Sequence, residues 1–165
     1  DWQAVNDGVM GGVSEGKFKI TDKKTLEFFG TLSLENNGGF ASVRSRPRAL
    51  GLQAGDTLVV RVRGDGREYQ VNLYASARTR SFSYRTPMKT RAGEWIEVAF
   101  ALDQFEATSF GRTLRDAGPV DPRSLTFIGF LLGEKTPGPF ALEVAWINVL
   151  RGQGRQDARA WQEAR

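Results

Sequence analysis

The chain has 165 residues, of which 40% are hydrophobic and 25% charged, and its net charge is +4. These values are ordinary for one globular domain and exclude a chain that is disordered throughout. The sequence contains neither cysteine nor histidine, which excludes disulfides, thiolate or histidine metal sites, and the Ser-His-Asp and Cys-His catalytic mechanisms.

Alternation of apolar and polar residues with a period of two is the dominant pattern, and it is typical of β-strands. In chain order the predicted strands are residues 16–20, 25–34, 39–46, 56–64, 67–75, 82–88, 94–100, 125–132 and 140–150. Helical periodicity is almost absent. The sequence therefore predicts an all-β fold, a two-sheet antiparallel β-sandwich of about nine strands with the apolar side chains between the sheets.

The connections between predicted strands are rich in glycine and asparagine. Gly64-Asp65-Gly66 lies between two alternating stretches, a pattern that predicts a β-hairpin. Residues 103–122 break the alternation. We predict a long crossover loop there, with a helical turn near residues 103–105, as in Greek-key and jelly-roll topologies. Residues 1–150 are thus predicted to form the sandwich.

Residues 151–165 form a basic tail. Its four arginines against Asp157 and Glu163 give +2, half of the net charge. We predict a short helix from residue 157 onward, stabilised by packing through Trp161. The body of the chain is nearly balanced in charge, so no nucleic-acid partner is expected.

Two features bear on the compartment. The sequence lacks any run of about 18 apolar residues, so we predict no transmembrane segment. The chain begins at Asp1, which leaves open a periplasmic or secreted protein whose leader was removed and a cytoplasmic protein.

Polar side chains on the strands are the best candidates for a binding surface, because they alternate away from the apolar face. If their strands are neighbours in one sheet, they share a surface with planar donors and a stacking ring. The candidate ligand- or partner-binding residues are Arg44, Arg61, Arg63, Gln70, Asn72, Tyr74 and Arg85, with Ser83 beside them. The alternative is an ordinary solvated face with cross-strand ion pairs.

Two loops, residues 6–14 and 35–39, and the 64–66 connection carry glycine together with amide and carboxylate side chains. The residues singled out in them are Asn6, Asp7, Gly8, Met10, Gly11, Gly12, Asn36, Asn37, Gly38, Gly39 and Asp65. Structural turns are the favoured interpretation. A calcium site is the alternative, but Glu35 is the one carboxylate of its loop, and Asp7 or Asp65 would have to complete the site. We therefore expect no metal and no other cofactor.

Large aromatic residues are predicted mostly to fill the core. Phe28, Phe40, Phe100, Phe127 and Phe140 are assigned to it, whereas Tyr74, Phe82, Tyr84 and Trp95 are left open. The carboxylates are scattered over loops and strand ends, so no catalytic pair of acids is predicted.

Three sequence blocks carry a family resemblance: WQAVNDGVMGGVS (residues 2–14), FGTLSLENNGGFASVR (29–44) and VRGDGREY (62–69). In this order they resemble the complex I intermediate-associated protein 30 family, and the resemblance extends over roughly residues 2–150. It implies a jelly roll similar to galactose-binding domains and carbohydrate-binding modules. It also implies a role in assembling respiratory complex I in mitochondrial members, while bacterial relatives mostly lack an assigned role.

Two main functional hypotheses follow, and neither is an enzyme; an enzyme is kept as a minor third hypothesis. The first is a non-catalytic interaction module that binds a protein partner as an assembly or scaffold factor, as the resemblance implies. The second is a module that binds a carbohydrate or another small ligand on the polar sheet face.

Overall fold

A computed structural model of the chain describes residues 2–6, 15–35, 39–46, 50–75, 83–109, 112–113, 121–152, 159–160 and 162–163. These residues form twelve strands: β1 (Trp2–Asn6), β2 (Glu15–Ile20), β3 (Leu26–Leu32), β4 (Ala41–Ser45), β5 (Thr57–Arg63), β6 (Glu68–Ala75), β7 (Ser83–Lys89), β8 (Trp95–Ala101), β9 (Glu106–Ser109), β10 (Arg112–Thr113), β11 (Leu125–Leu132) and β12 (Gly138–Leu150).

The strands form two antiparallel sheets. One is seven-stranded with the order β1-β4-β11-β6-β7-β9-β10, and the other is five-stranded with the order β2-β3-β12-β5-β8. The predicted all-β, two-sheet sandwich is confirmed. The nine strands expected from the alternation correspond to β2–β8, β11 and β12.

Three strands were not predicted: β1, β9 and β10. β1 pairs with β4, while β9 pairs with β7 and with β10. The prediction of a loop across residues 103–122 is therefore wrong for β9 and β10, although a 3-10 helix at Leu102–Gln104 agrees with the expected helical turn. With four and two residues, these strands are too short to show a period of two.

The core lies between the sheets because alternate residues of each central strand point inward. β3 contributes Leu26, Phe28 and Leu32, and β6 contributes Tyr69, Val71 and Leu73, all buried. The Phe28 ring on one sheet lies 6.4 Å from the Tyr69 ring on the other, centroid to centroid. Apolar contact of this kind holds the layers together.

A β-bulge changes which side chains of β11 face inward. The register with β6 shifts between Leu125 and Phe127, and the buried core residues continue at Ile128 and Phe130. A bulge inserts one extra residue, so the alternation changes phase. The prediction that Phe127 lies in the core is wrong for this reason. Phe28, Phe100 and Phe140 are buried as predicted, whereas Phe40 is only half-buried.

The connection from β5 to β6 crosses from the five-stranded to the seven-stranded sheet, so the hairpin predicted at Gly64-Asp65-Gly66 is wrong. Asp65 fixes this crossing. Its Oδ1 accepts a hydrogen bond from the Arg67 amide at 3.1 Å, and its Oδ2 accepts from the Tyr69 hydroxyl at 3.0 Å and the Ala141 amide at 2.8 Å. Burial and the adjacent Asp65 carboxylate raise the pKa of Tyr69 far above its usual value.

The C-terminal tail contacts the edge of the five-stranded sheet. Residues 159–160 and 162–163 are helical, and Trp161 lies outside the described residues. The Gln162 side chain accepts from the Ala99 amide and donates to the Glu97 carbonyl, both at 2.9 Å. Across the ranges given above, no helix is long and apolar enough to cross a membrane.

Candidate functional site

Five of the seven predicted binding residues lie on the seven-stranded sheet, and two do not. Arg44 is on β4, Gln70, Asn72 and Tyr74 are on β6, and Arg85 is on β7. Arg61 and Arg63 are on β5 of the five-stranded sheet. The prediction that all seven share one surface is therefore wrong for Arg61 and Arg63, because similar alternation does not make strands neighbours.

Four residues of the seven-stranded sheet align in one row across four neighbouring strands. Arg44 is in register with Gly129 of β11, Gly129 with Asn72, and Asn72 with Arg85. Their strand neighbours Val43, Val71, Leu73, Tyr84 and Phe130 belong to the core. Because side chains alternate along a strand, this row, named here the Asn72 row, faces away from the core.

The centre of the Asn72 row, Gly129 and Asn72, is buried although the row lies on an outer face. Asn72 is 0% exposed and Tyr74, two residues along β6, is 9% exposed. The Tyr74 ring stacks on Phe127 with centroids 4.5 Å apart. The Arg44 guanidinium carbon lies 4.6 Å from the Tyr74 ring centroid, a distance typical of a cation–π contact.

Gly129 makes this arrangement possible. A Cβ added at Gly129 would lie 2.7 Å from the Val43 carbonyl oxygen and 3.3 Å from both Arg44 Cγ and Tyr74 Cε2. The Arg44 side chain thus passes over a glycine to reach Tyr74. The sequence analysis did not select Gly129. The available signal was an isolated glycine inside a strand pattern, which marks close approach of other groups.

Hydrogen-bond donors dominate the Asn72 row. Arg85 Nε donates to Asn72 Oδ1 at 2.9 Å, which fixes the amide orientation and leaves its NH₂ group pointing the other way. Asn72 Nδ2 and Arg44 Nε are buried and have no hydrogen-bond partner among the described residues. Burial lowers the pKa of the Arg85 guanidinium, and the neighbouring Tyr74 partly offsets this effect.

The outer face of the five-stranded sheet has paired charges. Arg61 contacts Glu97 at 3.1 Å and Arg63 contacts Glu143 at 2.7 Å. Both guanidinium carbons also lie near the half-buried Trp95 ring, at 5.2 and 5.1 Å from its centroid. This face matches the solvated surface with cross-strand pairs that was the alternative interpretation of the polar residues.

Glu143 has two side-chain partners on that face. Thr25 Oγ1 donates to Glu143 Oε2 at 2.6 Å, and Arg63 contacts its other oxygen. The hydrogen bond from Thr25 and then the Arg63 guanidinium lower the pKa of Glu143, against the opposing effect of burial. Both contacts favour the charged form of the carboxyl group.

Few of the loop residues selected from the sequence can be placed. Asn6 pairs with Ala41 at the end of β1, Gly39 is buried, and Asp65 fixes the β5–β6 crossing. Both Asp65 oxygens accept from protein donors, which suits a structural role. The other selected residues lie outside the described residues: Asp7, Gly8, Met10, Gly11, Gly12, Asn36, Asn37 and Gly38. The described ranges contain no cluster of three or more acidic residues suited to a metal ion.

Comparison with known proteins identifies the family. Residues 1–144 match the family described as Complex I intermediate-associated protein 30. The chain belongs to this family. The mouse protein "Complex I intermediate-associated protein 30, mitochondrial" is 30% identical over 99% of this chain, and the Drosophila melanogaster protein of the same name is 31% identical over 56% of it. The chain spans 56% of the mouse relative and 33% of the fly relative.

Solved structures share the fold of this family member. A family 11 carbohydrate-binding module from Clostridium thermocellum, in complex with a β-1,3-1,4-mixed-linked tetrasaccharide, superposes with a TM-score of 0.65. It is 14% identical, and the match covers 92% of this chain and 88% of the module. At this identity the likeness establishes the β-sandwich alone.

Proposed function

We propose that this chain is a non-catalytic assembly factor for a respiratory complex I and acts by binding a protein partner. Membership of the complex I intermediate-associated protein 30 family, over nearly the whole chain, is the observation that carries this proposal. The absence of histidine and cysteine from the sequence agrees with a role that needs no nucleophile or general base.

The outer face of the seven-stranded sheet is the proposed partner surface. Arg44, Asn72 and Arg85 provide donors that the described residues only partly satisfy. On the opposite sheet, Arg61 and Arg63 are already paired with Glu97 and Glu143. Unsatisfied donors favour a partner that supplies acceptors, so the first face is the better candidate.

The test is disruption of the gene in its own source organism, followed by native gel electrophoresis of membrane complexes. Fully assembled complex I is expected to decrease while partial assemblies accumulate. Re-expression of the wild-type chain or of Arg61→Gln is expected to restore the complex, and Arg44→Gln is expected to restore less of it. An unchanged amount of complex I after disruption would refute the assembly role.

Glycan binding is the second candidate, because Arg44, Asn72 and Arg85 supply planar donors of the kind that hold hydroxyl groups. Sugar modules also need open aromatic rings, and Tyr74 is only 9% exposed. Calorimetry with mixed-linked β-glucan oligosaccharides separates the two candidates. Heat of binding that disappears in Tyr74→Ala would favour the glycan.

A further inference from the structure

Two buried donors on the outer face of the seven-stranded sheet point to a ligand of specific chemistry. Asn72 is 0% exposed, and its Nδ2 has no hydrogen-bond partner in the described part of the chain. Arg44 Nε, two strands away in the same row, is buried and equally unpartnered. Buried polar groups are nearly always hydrogen-bonded, so each unpartnered donor requires an explanation.

Only β11 lies between the strands that carry the two donors. Neighbouring strands are about 4.8 Å apart, and one strand, β11, separates Arg44 from Asn72. The Arg44 side chain crosses β11 over Gly129, and its guanidinium carbon lies 4.6 Å from the centroid of the Tyr74 ring. Tyr74 is two residues from Asn72 on β6, so both side chains are on the same face of the sheet. The Arg44 side chain and the Tyr74 ring occupy the space over Gly129, so a small group can approach the Asn72 amide there only when the Arg44 side chain moves aside.

The electrostatics of the row favour a negative charge. Arg44 and Arg85 border the amide on opposite sides and neither forms an ion pair among the described residues, although Glu106 of β9 is in register with Arg85. Arg85 Nε is already bound to Asn72 Oδ1. Two guanidinium groups and one NH₂ group thus supply donors and positive charge, and Arg44 Nε and Asn72 Nδ2 lack an acceptor among the described residues.

We propose that the Asn72 row binds a carboxylate group through Asn72 Nδ2 and the Arg44 guanidinium, with Arg85 supporting the amide. A planar carboxylate fits planar guanidinium and amide donors, which bind it through paired hydrogen bonds. Arg44 and Arg85 are half-exposed, so rotation of the Arg44 side chain opens the amide to the ligand, a change common on binding. The proposal rests on the proposed function for the source of the carboxylate, an Asp or Glu side chain of the protein partner.

The experiment is a ¹H–¹⁵N NMR titration of the whole chain with a capped peptide, Ac-Ala-Glu-Ala-NH₂, at constant ionic strength. The side-chain signals of Asn72 NH₂ and of Arg44 and Arg85 Nε–H are expected to shift saturably. The peptide Ac-Ala-Gln-Ala-NH₂, which lacks the charge, is expected to shift none of them. Unchanged Asn72 signals with the Glu peptide would overturn the proposal.

Matched arginine variants test the site. Both Arg44 and Arg61 lie over an aromatic ring and each substitution removes one charge, but they are on opposite sheets. Arg44→Gln is expected to raise the dissociation constant of the Glu peptide about tenfold. Arg61→Gln is expected to change it less than about twofold, since distant surface charges are screened. Equal effects would overturn the site.

A second variant keeps the test valid if Arg44→Gln does not fold. Asn72→Asp retains an acceptor for Arg85 but replaces the donor NH₂ with a negative group, and binding of the Glu peptide is expected to disappear. Retained binding would refute the role of Asn72.

Acetate tests whether the carboxylate comes from a free small molecule instead of a protein side chain. Tighter binding of acetate than of the Glu peptide would refute a side chain of the partner as the ligand. Because none of these measurements involves complex I, their failure is distinguishable from failure of the assembly role.

Discussion

The arginines on the two outer faces of the sandwich have different partners. On the five-stranded sheet, Arg61 and Arg63 each have a carboxylate on a neighbouring strand at 3.1 and 2.7 Å. On the seven-stranded sheet, Arg44 contacts the Tyr74 ring and Arg85 contacts the neutral amide of Asn72. The two arginines of the first face are thus paired with acids, whereas the second face carries buried donors without a partner among the described residues. Arginines selected by the same alternation thus lie in a paired, solvated surface on one sheet and among unpaired donors on the other.

The tightest packing of the seven-stranded outer face provides the largest expected effect. Gly129→Ala places a Cβ 2.7 Å from the Val43 carbonyl oxygen, and overpacking of this kind is expected to destabilise the protein by about 1–3 kcal/mol. Urea denaturation measures the change. Ala141→Ser on the exposed face of β12 is the control and is expected to change stability by less than about 0.5 kcal/mol. Equal midpoints for both variants would contradict the crowding inferred at Gly129.

The excess of donors can be tested through stability. In Asn72→Asp a carboxylate faces the Arg85 Nε that Asn72 Oδ1 binds at 2.9 Å, and the unpartnered NH₂ group is removed. We expect the free energy of unfolding at pH 7 to increase by about 1 kcal/mol. Asn148→Asp, on the exposed part of β12, is the control and should leave stability nearly unchanged. Lower stability of Asn72→Asp than of the wild type would show that the row does not lack an acceptor.

The paired face predicts a specific acid response. The pKa of Glu143 is lowered below its ordinary value of 4.5 by Thr25 and Arg63. The charged form is favoured in the folded state, so its contribution to stability is present above pH 4.5 and is lost as the pH falls through the lower, folded-state pKa. The difference in unfolding free energy between the wild type and Glu143→Gln is therefore expected to shrink as the pH is lowered below 4.5. Thermal denaturation at a series of pH values measures it.

The effect of the Thr25 hydrogen bond on the pKa of Glu143 can be tested separately from the effect of the Glu143 charge. Thr25→Val removes the hydroxyl that donates to Glu143 at 2.6 Å and leaves the Arg63 contact in place. We expect Thr25→Val to lose less stability on acidification than the wild type. Parallel pH curves for the two proteins would contradict the assignment of Thr25 as the first cause.

The smallest expected effect lies at the edge of the five-stranded sheet. Gln162→Ala removes the acceptor of the Ala99 amide, so this amide is expected to exchange faster with solvent while overall stability falls by less than about 1 kcal/mol. Gln104→Ala is the matched control, because Gln104 accepts from the Ala101 amide of the same strand at 2.9 Å. It should accelerate exchange at Ala101 and not at Ala99, and the reverse pattern would contradict the tail contact.

Part of the candidate site was predictable from the sequence. Arg44, Asn72, Tyr74 and Arg85 were selected because each alternates away from an apolar face, and they do lie on one sheet. Arg61 and Arg63 were selected by the same pattern but belong to the other sheet. Alternation reports which way a side chain points relative to its own strand, and it carries no information about which strands are neighbours.

Other features could not be predicted from the sequence, because they depend on a bulge in one strand and on a connection that crosses between sheets. Phe127 was assigned to the core, but the bulge between Leu125 and Phe127 turns it to the outer face beside Tyr74. The Gly64-Asp65-Gly66 connection has the composition of a hairpin, yet it joins different sheets. A local motif gives the turn its conformational freedom, and long-range packing decides which strands it connects.

The all-β class and nine of the strands could be predicted from the sequence, because they follow from local alternation of apolar and polar residues. The tertiary structure alone decided the strand order. Strand order brings Arg44, Gly129, Asn72 and Arg85 into one row and gives Arg61 and Arg63 their carboxylate partners. Strand order depends on contacts between residues far apart in the chain, which no local pattern contains.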